Sequence, residues 1–258
     1  MAMDTALPPR QRNLILGVLL LLSAGAWAVL IGQATTMDGM AMGAGSPTMG
    51  LAAPLFLAIW IVMMVAMMFP TAAPMVLMFA AIAAGKRQRG QPFAPTWVFV
   101  GAYLLVWSLC GVAAYGLALG AERLGAASPW LMRHGARAGG VVLILAGLYQ
   151  LSPLKEVCLA KCRTPLQFIL GSWRDGRAGA FQMGLAHGRY CLGCCWLLFL
   201  ILFPLGVMNI AVMAALTALI FAEKSLPAGR RIGQVAAAAL IAYGVVVLFL
   251  PAVLPLGM

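Results

Sequence analysis

The sequence predicts an all-α fold, a polytopic bundle of membrane-spanning helices with its N-terminus on the cytoplasmic side, and three observations carry this. Of 258 residues, 64% are hydrophobic and only 9% charged, with a mean hydropathy of +0.99, well outside the range of a water-soluble domain. Apolar stretches close to the roughly 20 residues needed to cross a bilayer core recur along the chain. The lysines and arginines collect in alternate connections between those stretches, as short cytoplasmic loops require.

Seven spans are expected: Asn13 to Ile31, Leu51 to Ala84, Thr96 to Leu119, Gly139 to Leu151 with its flanks, Cys191 to Leu205, Met208 to Phe221 and Gln234 to Val253. The first exceeds a signal-peptide core and is followed by no small-residue cleavage site, so it reads as retained. The second is long and carries Pro54, Pro70 and Pro74, which remove backbone donors and bend membrane helices. The fourth is short unless it recruits the preceding residues. Only the turn from Pro204 to Val207 separates the fifth from the sixth, which makes six the fallback count. With the N-terminus inside, 14 of the 17 basic residues fall on one side, and only Arg123, Arg133 and Arg137 fall on the other. The net charge of +11 is therefore a topology signal, and no nucleic-acid-binding motif accompanies it.

The chain reads as a single integral membrane domain, residues 1–258, of the multi-pass type found in a bacterial inner membrane. Residues 32–50 form a Met- and Gly-rich outer loop. Residues 152–190 form a cytoplasmic, cysteine-containing segment that leads into the fifth span.

Chemistry concentrates on sulfur. Cys110 stands alone and reads as a packing residue. Cys158 and Cys162 share one face of a helix at i and i+4, and His187, Cys191, Cys194 and Cys195 share another at i, i+4, i+7 and i+8. Thiolate and neutral imidazole are ligands for Cu(I) and Zn(II), and a reducing cytoplasm disfavours a permanent disulfide between such thiols. On the outer side, thioether sulfur binds Cu(I) without deprotonation. Met37, Met40 and Met42 offer it in the loop, and Met64, Met67, Met68 and Met75 offer it along the second span. These methionines tilt the expected metal from zinc to copper.

Polar residues near the spans are few. Asn209 reads as a helix cap, Glu223 and Lys224 as interface anchors first and ion-coupling groups second, and Trp173, Arg174 and Asp175 as interfacial anchors. The sequence holds no P-loop, nucleophile elbow, paired membrane carboxylates or HExxH zinc motif. An enzyme is the less favoured reading, since its catalytic groups would have to be the cysteines and His187.

The strings YQLSPLKEVCLAKCRTP, WRDG, MGLAHGRYCLGCCW, GVMN and AEKSLP, with WIVMMVAMMFPTAAPM upstream, resemble a bacterial family of predicted metal-binding integral membrane proteins built on a domain of unknown function. The resemblance runs from about Leu51 to Gly229. It implies that Cys158, Cys162, His187, Cys191, Cys194 and Cys195 belong to the family's defining motif.

The expectation is a membrane protein that binds, relays or transports copper through Met and Cys/His ligands. Its partners are the lipid bilayer and other membrane or periplasmic metal-handling proteins, with no nucleic acid. Two readings of other classes compete. One is a scaffold or assembly subunit with structural cysteines, and the other is a thiol oxidoreductase using the cysteines as relay pairs.

Overall fold

The computed structural model describes residues 7–40, 47–91 and 94–254. Among them are ten α-helices and no strand: α1 (Pro9–Met40), α2 (Ala53–Gln88), α3 (Thr96–Ala127), α4 (Pro129–Gln150), α5 (Pro153–Arg163), α6 (Pro165–Ser172), α7 (Gly176–Leu200), α8 (Leu202–Leu205), α9 (Ile210–Ser225) and α10 (Gly229–Phe249), followed by a 3-10 turn, Pro251–Val253. Each of the seven expected apolar stretches has most of its length in helix. The count of spans is nonetheless corrected. Among the described residues five helices are long and apolar enough to cross a membrane, namely α1, α2, α3, α7 continued through α8, and α10, and the bent pair α4–α5 raises the total to six. The sixth expected span fails on length, since α9 has 16 residues and reaches about 24 Å at 1.5 Å per residue. The fourth recruits the residues before it, since α4 runs from Pro129 to Gln150. After Gln150 the chain turns by 62°, because Pro153 cannot donate back into α4 and Ser152 caps the new helix by accepting from the Lys155 N–H at 3.2 Å. Helix α1 also runs on to Met40, through positions 32–40 that the sequence reading assigned to a loop.

The central helix is α2, 61% buried over its most apolar stretch against 17% for α1 and α10. On the outer helices Leu21, Val235 and Phe249 are 74%, 71% and 79% exposed. Such an apolar exterior is stable in a hydrocarbon solvent and is far from what water tolerates.

Pro70 sits inside α2 and leaves the carbonyl of Ala66 without its helical donor. Helix α1 supplies two replacements: Ser23 Oγ donates to Ala66 O at 2.8 Å and Trp27 Nε1 at 3.2 Å. The proline's missing bond thus becomes the polar contact that docks α1. Ser23→Ala combined with Trp27→Phe strands this carbonyl and is expected to cost about 1–3 kcal/mol, read as a lowered thermal midpoint in detergent. Adding Pro70→Ala restores the helical donor and recovers stability, whereas a triple variant no better than the double contradicts the assignment.

Side-chain contacts sort the helix ends. At one end Lys86 Nζ meets Asp175 Oδ1 at 2.9 Å, Trp173 Nε1 donates to the same oxygen at 2.8 Å, Arg163 donates to Leu226 O at 3.0 Å, and Arg230 lies 3.4 Å from Glu156. The hydrogen bonds from Lys86 and Trp173 hold the Asp175 carboxyl below the usual carboxylate range. At the other end Thr48 donates through N and Oγ1 to Glu122 Oε1 at 2.8 and 2.7 Å, and Gly139 lies against Pro204 and Leu254. Arg123, Arg133 and Arg137 belong to this second end, so the helices keep the charge asymmetry read from the sequence.

Candidate copper site

Helix α7 carries His187, Cys191, Cys194 and Cys195, and all four are buried. Its glycines explain how neighbouring helices come so close. A Cβ on Gly184 would sit 2.3 Å from Phe99 O and one on Gly188 would sit 2.8 Å from Val106 Cγ2, so these two let α3 lie directly on α7. A Cβ on Gly193 would sit 2.7 Å from Cys158 Sγ, so this glycine admits α5. The approach of α3 brings Tyr103 to Cys191, and that of α5 brings Cys162 to Cys191 and Cys194.

Four thiols result from this packing. The Cys162 sulfur lies in interaction range of those of Cys191 and Cys194. Cys194 and Cys195 donate to the Cys191 carbonyl at 3.1 and 2.8 Å. Cys191 Sγ accepts from Lys224 Nζ at 3.1 Å and lies 3.3 Å from Tyr103 Oη. Cys158, half-buried, stands at the edge of the group, and Cys110 lies on α3. All six cysteines are free thiols.

Lys224 corrects the reading of the end of α9. Both Glu223 and Lys224 are buried, 2% and 9% exposed, where interface anchors would reach outward. Adjacent helical positions point in different directions. Lys224 therefore faces the thiols, while Glu223 faces Lys155 at 2.7 Å and Gln150 at 3.0 Å. Asn209 caps α9 as expected, accepting from Val212 N at 3.1 Å.

His187, one turn before Cys191 on α7, packs among aromatic rings. Its ring stacks on Phe99 and Tyr103, with centroids at 5.8 and 5.2 Å, and tilts against Phe168. Its buried Nε2 has no hydrogen-bond partner among the described residues. With Cys162, Arg163, Lys224, Thr71 and Met75 it lines a cavity of about 220 Å³ whose rim includes Pro74 and Ser225.

The methionines of α2 point inward. Met64, Met67 and Met68 are fully buried and share one contiguous core with Cys162, Cys191, Cys194 and Cys195. Met63 and Met213 join the same core and were not among the sequence candidates, and Met49 of the Met-rich segment 32–50 joins it as well. Met75 is buried in the neighbouring cluster and reaches the cavity. Met42 lies outside the described residues, as do the side chains of Met37 and Met40.

The donors are soft thiol and thioether sulfur, the set that suits Cu(I). Among the described residues no three His, Cys, Asp or Glu side chains close around a common point. The arrangement is a reserve of neighbouring thiols, each bonded to a carbonyl, a lysine or another thiol, that an arriving ion would have to gather.

Fold and site together define an all-helical protein with a buried, sulfur-rich core. The chain belongs to the PpoB2 copper chaperone family, which matches residues 57–247, well over half of its length. That stretch holds all four clustered thiols, His187, Lys224 and the methionines of α2. No curated protein and no solved structure matches the chain.

Proposed function

We propose that this protein is a copper carrier embedded in the bacterial inner membrane, with its basic end at the cytoplasm, which takes Cu(I) onto core methionines and holds it on the thiols of Cys162, Cys191, Cys194 and Cys195. One observation carries the reading. Two helices separated in sequence by α6, namely α5 and α7, place four thiols together in the same core as the thioethers of α2. Thioether sulfur binds Cu(I) while neutral, and thiolate binds it more tightly, so the ion moves down a gradient of affinity from α2 to α7. The methionines also favour copper over zinc, whose structural sites use Cys, His and carboxylate ligands. Donor and acceptor proteins for the metal would be other membrane or periplasmic metal-handling proteins. Arg163, Arg230 and Lys86 at the basic end suit a cytoplasmic face, in line with the positive-inside rule.

Delivery along α2 is tested with Met64→Leu, Met67→Leu and Met68→Leu combined, a change that conserves volume and removes the thioethers. In proteoliposomes offered Cu(I) on the side opposite the basic end, the variant is expected to fill its thiols about tenfold more slowly than the wild type while reaching the same final copper content. Equal filling rates would contradict a role for these methionines in delivery.

A further inference from the structure

Cys191, Cys194 and Cys195 are sealed, with exposures of 0%, 2% and 1%. Cys162 is the one member of the group that also lines the cavity. Besides Cys162, the cavity's ionisable lining among the described residues consists of Arg163, Lys224 and His187, with no carboxylate. Its Nε2 acceptor or donor at His187 is buried and unpartnered among the described residues. At about 220 Å³ the space holds several waters, enough for the cysteinyl arm of a small molecule and too little for a protein domain.

We infer that this cavity is an exchange port and Cys162 its exchange ligand, through which Cu(I) passes between the buried thiols and a low-molecular-mass anionic thiol. The inference rests on the copper reading and adds the chemical class of the partner. A Cu(I) ion held by two carrier thiolates is an anion, and the basic lining attracts it. In the exchange, a Cu–S bond forms to Cys162 as one carrier Cu–S bond breaks, and the proton of the Cys162 thiol leaves on the departing carrier sulfur. A second exchange of the same kind with Cys191 or Cys194 releases the second carrier thiol. Copper remains Cu(I) throughout, and no electrons are transferred. The reverse sequence unloads the protein.

The test uses the full chain in detergent with Cys110→Ala and Cys158→Ala, which leaves the four clustered thiols. It is treated with an anionic and a cationic methanethiosulfonate reagent, with rates normalised to those of a free thiol and the modified site located by mass spectrometry. Cys162 is expected to react first, and about tenfold faster with the anion. Copper loading is then followed from two donors, the Cu(I) complex of glutathione, which is anionic, and the Cu(I) complex of acetonitrile, which is not. Arg163→Gln is expected to slow loading from glutathione about tenfold and leave loading from acetonitrile unchanged, with the same final copper content. Modification of Cys191, Cys194 or Cys195 ahead of Cys162, or equal slowing from both donors, overturns the port. A wild-type protein that accepts copper from neither donor while Cys162 still reacts first removes the copper reading instead.

Discussion

Lys155→Met is expected to lower the thermal midpoint in detergent on the order of 10 °C, the largest stability loss of any single substitution considered for this chain. Lys155 and Glu223 are both 3% exposed in their side chains and meet at 2.7 Å. Gln150 donates to the same carboxylate at 3.0 Å, and Gly233 leaves it room, since a Cβ there would lie 2.8 Å from Glu223 Oε1. One carboxylate thereby fastens α4, α5, α9 and α10. Removing the lysine leaves Glu223 buried and uncompensated, which costs about 3–5 kcal/mol, whereas replacing both charges with neutral groups is often close to neutral. Lys155→Met with Glu223→Gln should therefore regain most of the loss. Because α5 also carries Cys162, the single variant should lose copper affinity together with stability. A double variant as unstable as the single one would show that the pair is not what holds these helices.

The second large effect falls on the metal. Cys191→Ala is expected to weaken Cu(I) binding about a hundredfold or more in a chelator competition, beyond the ten- to hundredfold typical of changes outside the ligand shell. Cys191 touches every part of the site: Lys224, Tyr103, Cys162 and, through its carbonyl, Cys194 and Cys195. Cys110→Ala serves as the control, since Cys110 belongs to α3 away from the cluster, and should leave affinity unchanged. Equal losses in the two variants would mean that the thiol cluster is not where copper binds.

The helical architecture was legible because a bilayer imposes length and apolarity on each span, and both are visible in one dimension. The number of spans was less legible. Composition alone cannot distinguish α9, whose 16 residues stop short, from a full crossing, nor show that α4 turns at Pro153 into α5. Helical periodicity placed His187, Cys191, Cys194 and Cys195 on one face of α7, and all four are buried. It could not show that His187 stacks on Phe99 and Tyr103, nor that Cys191 meets Tyr103 of α3 and Lys224 of α9. Lys224 was misread for a related reason: its partner is 33 residues away, and an isolated lysine beside a glutamate at a helix end looks like an anchor. A signal for the close approach was present in Gly184 and Gly188, spaced as small residues are at helix contacts, and in Gly193 between the cysteines. Met63 and Met213 lay within apolar runs, where nothing in the pattern separates a core thioether from any other packing residue.

The most direct test of the central claim is elemental analysis of the detergent-purified, reduced protein beside a variant carrying Cys191→Ser, Cys194→Ser and Cys195→Ser. The account predicts copper at about one ion per chain or more in the wild type and its loss in the variant, with both proteins equally helical by circular dichroism. Copper retained by the folded variant, or zinc in its place in the wild type, would contradict a copper carrier that works through these thiols.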